Sequence, residues 1–533
     1  MKISIKYTLF FLFFSTILIA QSDKERFESI NIEHYKLAIE VNDANNKIKG
    51  EIKIFMRFRK NVTSFDLDLV EQDTETGEGM KVTSIFQNNT SVDFTQQNNK
   101  LTITPKHIFP NLTYTYTIEY SGIPKSGLII GQNKFGDRTF FGDNWPNRAQ
   151  NWFPCVDHPS DKATVEYIVK APEKYQVIAN GVKVRDTVLK NNVRLTHYQN
   201  KEVLPTKVMV IGVANFAVEK LGETQGVPVS SWVYPQNEKE GFHDFSTAPA
   251  ILDFFIETIG EFPFQKLANV QSSTEYGGME NASAIFYPEN AITGEGKIDA
   301  LMAHEIAHQW FGDAVTESTW SQIWLSEGFA TYFADLYVQK SKGYSVFQRR
   351  MGFERKKVLD FYKKQQTPVV DVKTTNLIDL LNPNSYEKGA WVLHMLRKKL
   401  GDEVFFKGIK TYYSNYKYSN ASTARFQSIM QQVSGKNLDV FFNQWLTLSE
   451  YPILKSNWIY YNNKVRLMLD QTQNTAFEFP LDIELIYTDG TSEIKTIQVT
   501  YKTEPFVIEG RGEVKELKFD PNNWLLFQLA EEE

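Results

Sequence analysis

The spacing of apolar residues changes twice along this chain, and those changes limit the folds open to it. From about Glu25 to Val229 the pattern is short and alternating, as in residues 49–58 and 100–104, broken by Asn/Asp/Gly clusters. Alternation places apolar side chains on one face of a strand, so this part reads as β-rich. A Pro/Gly/polar stretch over residues 228–240 marks a boundary. Beyond it, residues 245–260, 300–312, 326–343 and 387–400 carry apolar residues at helical spacing. After Trp445 the alternation returns, over residues 465–470 and 483–487, with a turn at Asp489-Gly490. A chain of 533 residues is too long for one hydrophobic core. The expectation is therefore a multidomain α+β protein: a β domain over residues 21–229, an α-rich domain over 230–447, and a small β domain over 448–533.

Composition narrows the chemistry. With 42% hydrophobic and 23% charged residues the chain is neither disordered nor a multi-span membrane protein. Lys and Arg number 58 against 64 Asp and Glu, which leaves no global electrostatic footprint for nucleic acid. The single cysteine, Cys155, excludes an internal disulfide and any all-cysteine metal cluster. A metal site must draw on the eight histidines and on carboxylates.

Residues 1–20 read as an export signal. Lys2 and Lys6 precede the apolar run 7–19, and Ala20 supplies a small residue for cleavage. That run falls short of the ~20 residues a membrane-spanning helix needs. An exported, periplasmic or extracellular protein is expected, with no stable membrane insertion once the signal is removed.

The sharpest chemical signal is His304-Glu305-Ile306-Ala307-His308. On a helix, residues four apart share a face, so both imidazoles reach one zinc ion and Glu305 sits beside it. Glu327, in Trp324-Leu-Ser-Glu-Gly-Phe-Ala330, follows after eighteen intervening residues and supplies a third ligand from the next helix. Two imidazoles and a carboxylate leave a fourth position for water, as in a catalytic zinc site. Upstream lies Tyr276-Gly277-Gly278-Met279-Glu280-Asn281, whose glycines admit a substrate backbone and whose glutamate can meet a cation.

These motifs, in this order and spacing, resemble the zinc aminopeptidase family of aminopeptidase N and the leukotriene hydrolase. The segment Phe153-Pro-Cys-Val-Asp-His-Pro-Ser-Asp-Lys-Ala163 and the run Tyr386-Glu-Lys-Gly389 are further matches. The resemblance implies an N-terminal β-saddle domain, a thermolysin-like catalytic domain and a small C-terminal β-sandwich. It implies a secreted aminopeptidase with one Zn2+ per chain, Glu305 as general base and Tyr386 as the hydroxyl that steadies the oxyanion. Glu280 would hold the free ammonium of a peptide, Gly277 and Gly278 its backbone, with Met279 and Asn281 in the same substrate-binding run. Tyr276 would line the pocket for the first side chain.

The chain departs from the family in places. Counting back from Phe153, the family's further ammonium partners fall near Asp143 and Trp145, and Asp143 is the expected one. His158 replaces a glutamate and Ser326 an asparagine, neither of them expected to touch the metal. Cys155 is expected to pack rather than react, and His34, His107, His197, His243 and His394 to be structural. Larger members add a helical C-terminal domain where this chain ends at Glu533, so the expected cleft is more open, or closed by another subunit as a homo-oligomer. The partners expected are peptides with a free N-terminus. The weaker readings are a binding homologue without activity, lipid-epoxide hydrolysis, and zinc endopeptidase activity.

Overall fold

The computed structural model describes residues 26–530. The expected signal, residues 1–20, lies outside the described residues. The protein is a multidomain mixed α/β chain: β-rich at the N-terminal end, helical around the histidine motif, and built of β-sheets at the C-terminal end. It forms two compact units. The first runs to Pro249 and adds Pro263–Ile298; the second is Ala250–Phe262 with the chain from Asp299 onward.

In the first unit an eight-stranded sheet is centred on Ile30–Glu40, which pairs antiparallel to Ile48–Phe58 and parallel to Lys162–Pro172. The alternation in Ile48–Phe58 is directly visible: Ile48, Ile52, Ile54, Met56 and Phe58 are buried while Lys49, Glu51 and Arg57 face water. A second sheet sets Ala217–Thr224 antiparallel to Val227–Val233, followed in parallel by Leu267–Ser272 and Ala284–Pro288. Every residue of Leu267–Ser272 is buried, so that strand lacks the two-residue period. The segment between the last two strands carries Tyr276 to Asn281.

In the second unit the helices Asp299–His308, Trp324–Lys342 and Gly389–Leu400 coincide in large part with the spacing seen in the sequence. The first stops four residues earlier than the apolar pattern suggests. Trp310 and Phe311 continue that pattern, but Trp310 sits in a turn and Phe311 in an isolated bridge to Val315, and they fill a core with Phe255, Phe262 and Phe333. Gly343 and Gly401, with φ of 87° and 83°, end the other two helices. Two small sheets follow, one built around Lys464–Gln471 and one around Phe479–Tyr487. The hairpin from Phe479–Tyr487 to Ser492–Val499 turns at Asp489-Gly490, where Asp489 accepts from the Thr491 amide. Among the described residues no helix is long and apolar enough to cross a membrane.

Candidate metal centre

The helix Asp299–His308 forms because Met302, Ala303, Ile306 and Ala307 give it a buried face, with Asp299 in the first turn beside the positive helix end. His304 and His308 emerge one turn apart, their ring centroids separated by 4.7 Å. Glu327 projects from the first turn of Trp324–Lys342. Its Oε2 lies 3.4 Å from His304 Nε2 and 3.2 Å from His308 Nε2, and the two Nε2 atoms are 3.1 Å apart. Ligands bonded tetrahedrally to one ion at ~2.0–2.1 Å stand about 3.3 Å from one another. The triangle of donors fits Zn2+.

The orientation of His308 is set from behind. Its Nδ1 lies 3.0 Å from the Phe311 carbonyl oxygen, which can only accept. Nδ1 therefore carries the proton in the neutral ring, and Nε2 presents its lone pair to the centre. Ser326 Oγ lies 3.1 Å from the same Nδ1. Burial alone would raise the Glu327 carboxyl, but the imidazoles of His308 and His304 outweigh it and hold the carboxyl below its usual range.

Glu305 is buried on the same helix, between the two histidines. Tyr386 sits in a π-helical turn, Asn384–Lys388, a geometry found disproportionately at functional sites. Its ring stacks on that of His304, with centroids 6.0 Å apart and planes 16° from parallel. The turn is fastened on several sides. Asn384 Nδ2 donates to the Thr367 carbonyl, Ser385 Oγ to the Leu380 carbonyl, and Lys357 to Glu387. The buried Lys388 ammonium donates to the carbonyls of Leu448, Ser449 and Glu450 at 3.2–3.4 Å. Gly328 lies directly against Gly389, so the helix bearing Glu327 approaches the turn bearing Tyr386 with no side chain between them.

In the first unit, Met279 exchanges both backbone hydrogen bonds with Phe286, tying the 276–281 run to Ala284–Pro288. Glu280 and Asn281 are buried and Gly277 is exposed. A Cβ at Gly277 would meet nothing within 4 Å, and its φ is not positive. Packing inside the protein thus does not demand glycine at this position. Asp143 is fully buried. Its Oδ1 accepts from Arg148 at 2.7 Å, and its Oδ2 accepts from Thr274 Oγ1 at 3.1 Å and the Glu275 amide at 3.2 Å. Burial pushes its carboxyl up, and Arg148 offsets part of that rise.

The remaining polar outliers of the sequence are accounted for locally. Burial pushes the Cys155 thiol well up. His158 Nδ1 pairs with Ser160 Oγ, and His197 with Glu166. His394 stacks on Trp524, 4.4 Å between centroids, with Tyr332 at one ring nitrogen and the Asn523 carbonyl at the other. The hydrogen bond of Ser326, the three-carbonyl clamp of Lys388 and the Gly328–Gly389 contact are features that sequence reasoning missed. The Tyr-Glu-Lys-Gly run was the one available signal for the last two.

Residues 244–445 match the model of the peptidase family M1 domain, and residues 31–208 match that of the peptidase M1 N-terminal domain, together well over half of the chain. The chain belongs to peptidase family M1. Among the similar proteins, probable aminopeptidase 2 of Sulfurisphaera tokodaii is 26% identical over 86% of this chain and 59% of its own length. The glutamyl aminopeptidase of Rattus norvegicus is 26% identical over 72% of this chain and 43% of its own. This M1 chain spans about half the length of the curated relatives it matches. Its fold is that of a mutant M1 zinc metallopeptidase from Deinococcus radiodurans, with a TM-score of 0.68 over 80% of this chain and 96% of the other at 22% identity. In this M1 chain the group His304, His308 and Glu327, whose ligating atoms all lie within 4.8 Å of one another, could hold that zinc ion.

Proposed function

We propose that this M1 chain is a zinc aminopeptidase that hydrolyses the N-terminal peptide bond of peptides. The observation that carries the reading is the convergence of His304 Nε2, His308 Nε2 and Glu327 Oε2 beside the stacked ring of Tyr386. When bound, Zn2+ supplies Lewis acidity, lowering the pKa of a water molecule and polarising the scissile carbonyl. The Glu305 carboxylate accepts the proton of the attacking water and returns it to the leaving amine. The Tyr386 hydroxyl donates a hydrogen bond to the oxygen that becomes negative as the carbonyl turns tetrahedral. The Glu280 carboxylate pairs with the free α-ammonium of the substrate, a charge-assisted contact that an internal peptide nitrogen cannot make. Gly277 and Gly278 offer main-chain groups to the first residues, with Met279 and Asn281 shaping the same run and Tyr276 facing the first side chain.

The test begins with the metal. Elemental analysis should find one zinc per chain, and chelation should abolish hydrolysis of leucyl amide until zinc is returned. Full hydrolysis by the metal-free protein would refute the reading. Export rests on the basic and apolar character of residues 1–20. Cell fractionation with sequencing of the mature N-terminus checks it, and a cytoplasmic protein starting at Met1 would contradict it.

A further inference from the structure

Arg148 stands outside every motif of the site, yet it joins five groups in the first unit. Its Nη2 donates to Asp143 Oδ1 at 2.7 Å, and its Nε to the Trp145 carbonyl at 2.8 Å. Its Nη1 reaches Glu275 Oε2 at 3.2 Å and Ser126 Oγ at 3.4 Å. The guanidinium carbon also lies 5.3 Å from the centroid of the Tyr276 ring. Tyr276 is held from two further directions. Its hydroxyl donates to the same Trp145 carbonyl at 3.1 Å, and its ring meets the Trp145 indole edge-on at 6.1 Å.

Asp143 anchors this arrangement. Fully buried, it gives one oxygen to Arg148 and the other to Thr274 and the Glu275 amide. A buried carboxylate that accepts from one guanidinium nitrogen at one oxygen, and from a hydroxyl and a main-chain amide at the other, ties Arg148 to the segment that carries Tyr276 through charge-assisted hydrogen bonds. The segment it holds, residues 273–283, connects two parallel strands, and its one β-bridge is that of Met279 with Phe286, three residues beyond Tyr276. Tyr276 itself lies outside that bridge, so the direction of its ring is set by this network.

We propose that Arg148, paired with Asp143, is a positioning residue that fixes the Tyr276 ring as the surface against which the substrate's first side chain packs. The proposal rests on the aminopeptidase reading and assigns selectivity to a residue that touches no substrate. Lysine could neutralise Asp143, but a single ammonium cannot serve Asp143, Trp145 and Glu275 together while lying flat over a ring. That difference separates positioning from simple charge balance.

The test compares Arg148→Lys, Tyr276→Ala and the zinc-loaded wild type on glycyl, leucyl and tyrosyl amides. Glycine has no side chain to meet the ring and serves as the internal reference. Arg148→Lys should keep its zinc content and melting temperature, while the leucyl-to-glycyl and tyrosyl-to-glycyl ratios of kcat/KM fall by about tenfold, mostly through KM. Tyr276→Ala should move the same ratios in the same direction. Should Arg148→Lys fail to fold, the double variant Asp143→Asn with Arg148→Gln removes both charges and should show the same fall. Wild-type ratios in a folded Arg148 variant, an equal loss on all three substrates, or unmoved ratios in Tyr276→Ala would each overturn the proposal while leaving the aminopeptidase reading intact. A zinc-loaded wild type that cleaves none of the amides would overturn that reading, and this proposal with it.

Discussion

His308 Nδ1 points at the carbonyl oxygen of Phe311, 3.0 Å away. The contact exists because the helix stops at His308 and the chain folds back through Gly312, whose φ of +119° suits glycine. A Cβ there would also stand 2.3 Å from Ser326 Oγ, the second group at His308 Nδ1. Outer partners of this kind orient a metal-binding imidazole. Ser326→Ala should therefore weaken zinc binding by about tenfold, read as a shift in chelator competition. An unchanged competition curve would show that the Phe311 carbonyl suffices alone.

The contact between Gly328 and Gly389 sets how closely Glu327 and Tyr386 are carried. A Cβ on Gly328 would lie 2.8 Å from Gly389 Cα, and backbone on both sides leaves nothing flexible to give way. Gly328→Ala should cost about 1–3 kcal/mol in stability and lower turnover further than the fraction unfolded explains. Chemical denaturation and kcat on the same sample check both. A stable variant with full turnover would contradict the stated role of the contact.

Glu305 and Tyr386 are assigned different steps, so their variants should fail differently. Glu305→Gln should keep zinc and lose about 10²–10⁴-fold in kcat. Tyr386→Phe should lose about 10²–10³-fold in kcat with little change in KM, because its hydroxyl acts on charge that develops after binding. Retention of most turnover by either variant would remove that residue from the mechanism.

The burial of His394 predicts a pH effect on stability in the second unit. Burial pushes its imidazole down to about 3, and the Asn523 carbonyl only partly offsets this. An unfolded histidine titrates near 6.5. Between these values the unfolded chain binds a proton that the folded ring refuses, so stability is complete above about pH 6.5 and falls as the pH drops towards 3. His394→Gln removes that proton. Its stability relative to wild type should improve by about 1–3 kcal/mol between pH 7.5 and pH 4.5, measured by denaturation at each pH. A constant difference would show that His394 does not titrate in this way.

The order β, helical, β was legible because the period of apolar residues is a direct consequence of which face each element buries. Ile48–Phe58 and Lys100–Thr104 follow it residue by residue. The pairing of His304 with His308 was legible for a related reason: a four-residue interval on a helix is already a geometry. What stayed hidden depends on close approach in space. The Tyr386-Glu-Lys-Gly389 run includes Lys388 without giving it a role, and only the fold shows three carbonyls converging on it. Trp310 and Phe311 carry the helical period past the true helix end because the core needs them there. The helix Tyr344–Tyr362 was missed because it buries few of its residues, among them Glu354. The hydrogen bonds of Asp143 were not legible, since its partners Thr274 and Glu275 lie more than a hundred residues away.

The central claim is that zinc at His304, His308 and Glu327 serves an enzyme that requires a free N-terminus. The most direct measurement gives the zinc-loaded protein the same peptide with and without an N-terminal acetyl group and follows release of the first residue by mass spectrometry. The account predicts sequential loss of residues from the free peptide and none from the blocked one. Comparable cleavage of the acetylated peptide would contradict it.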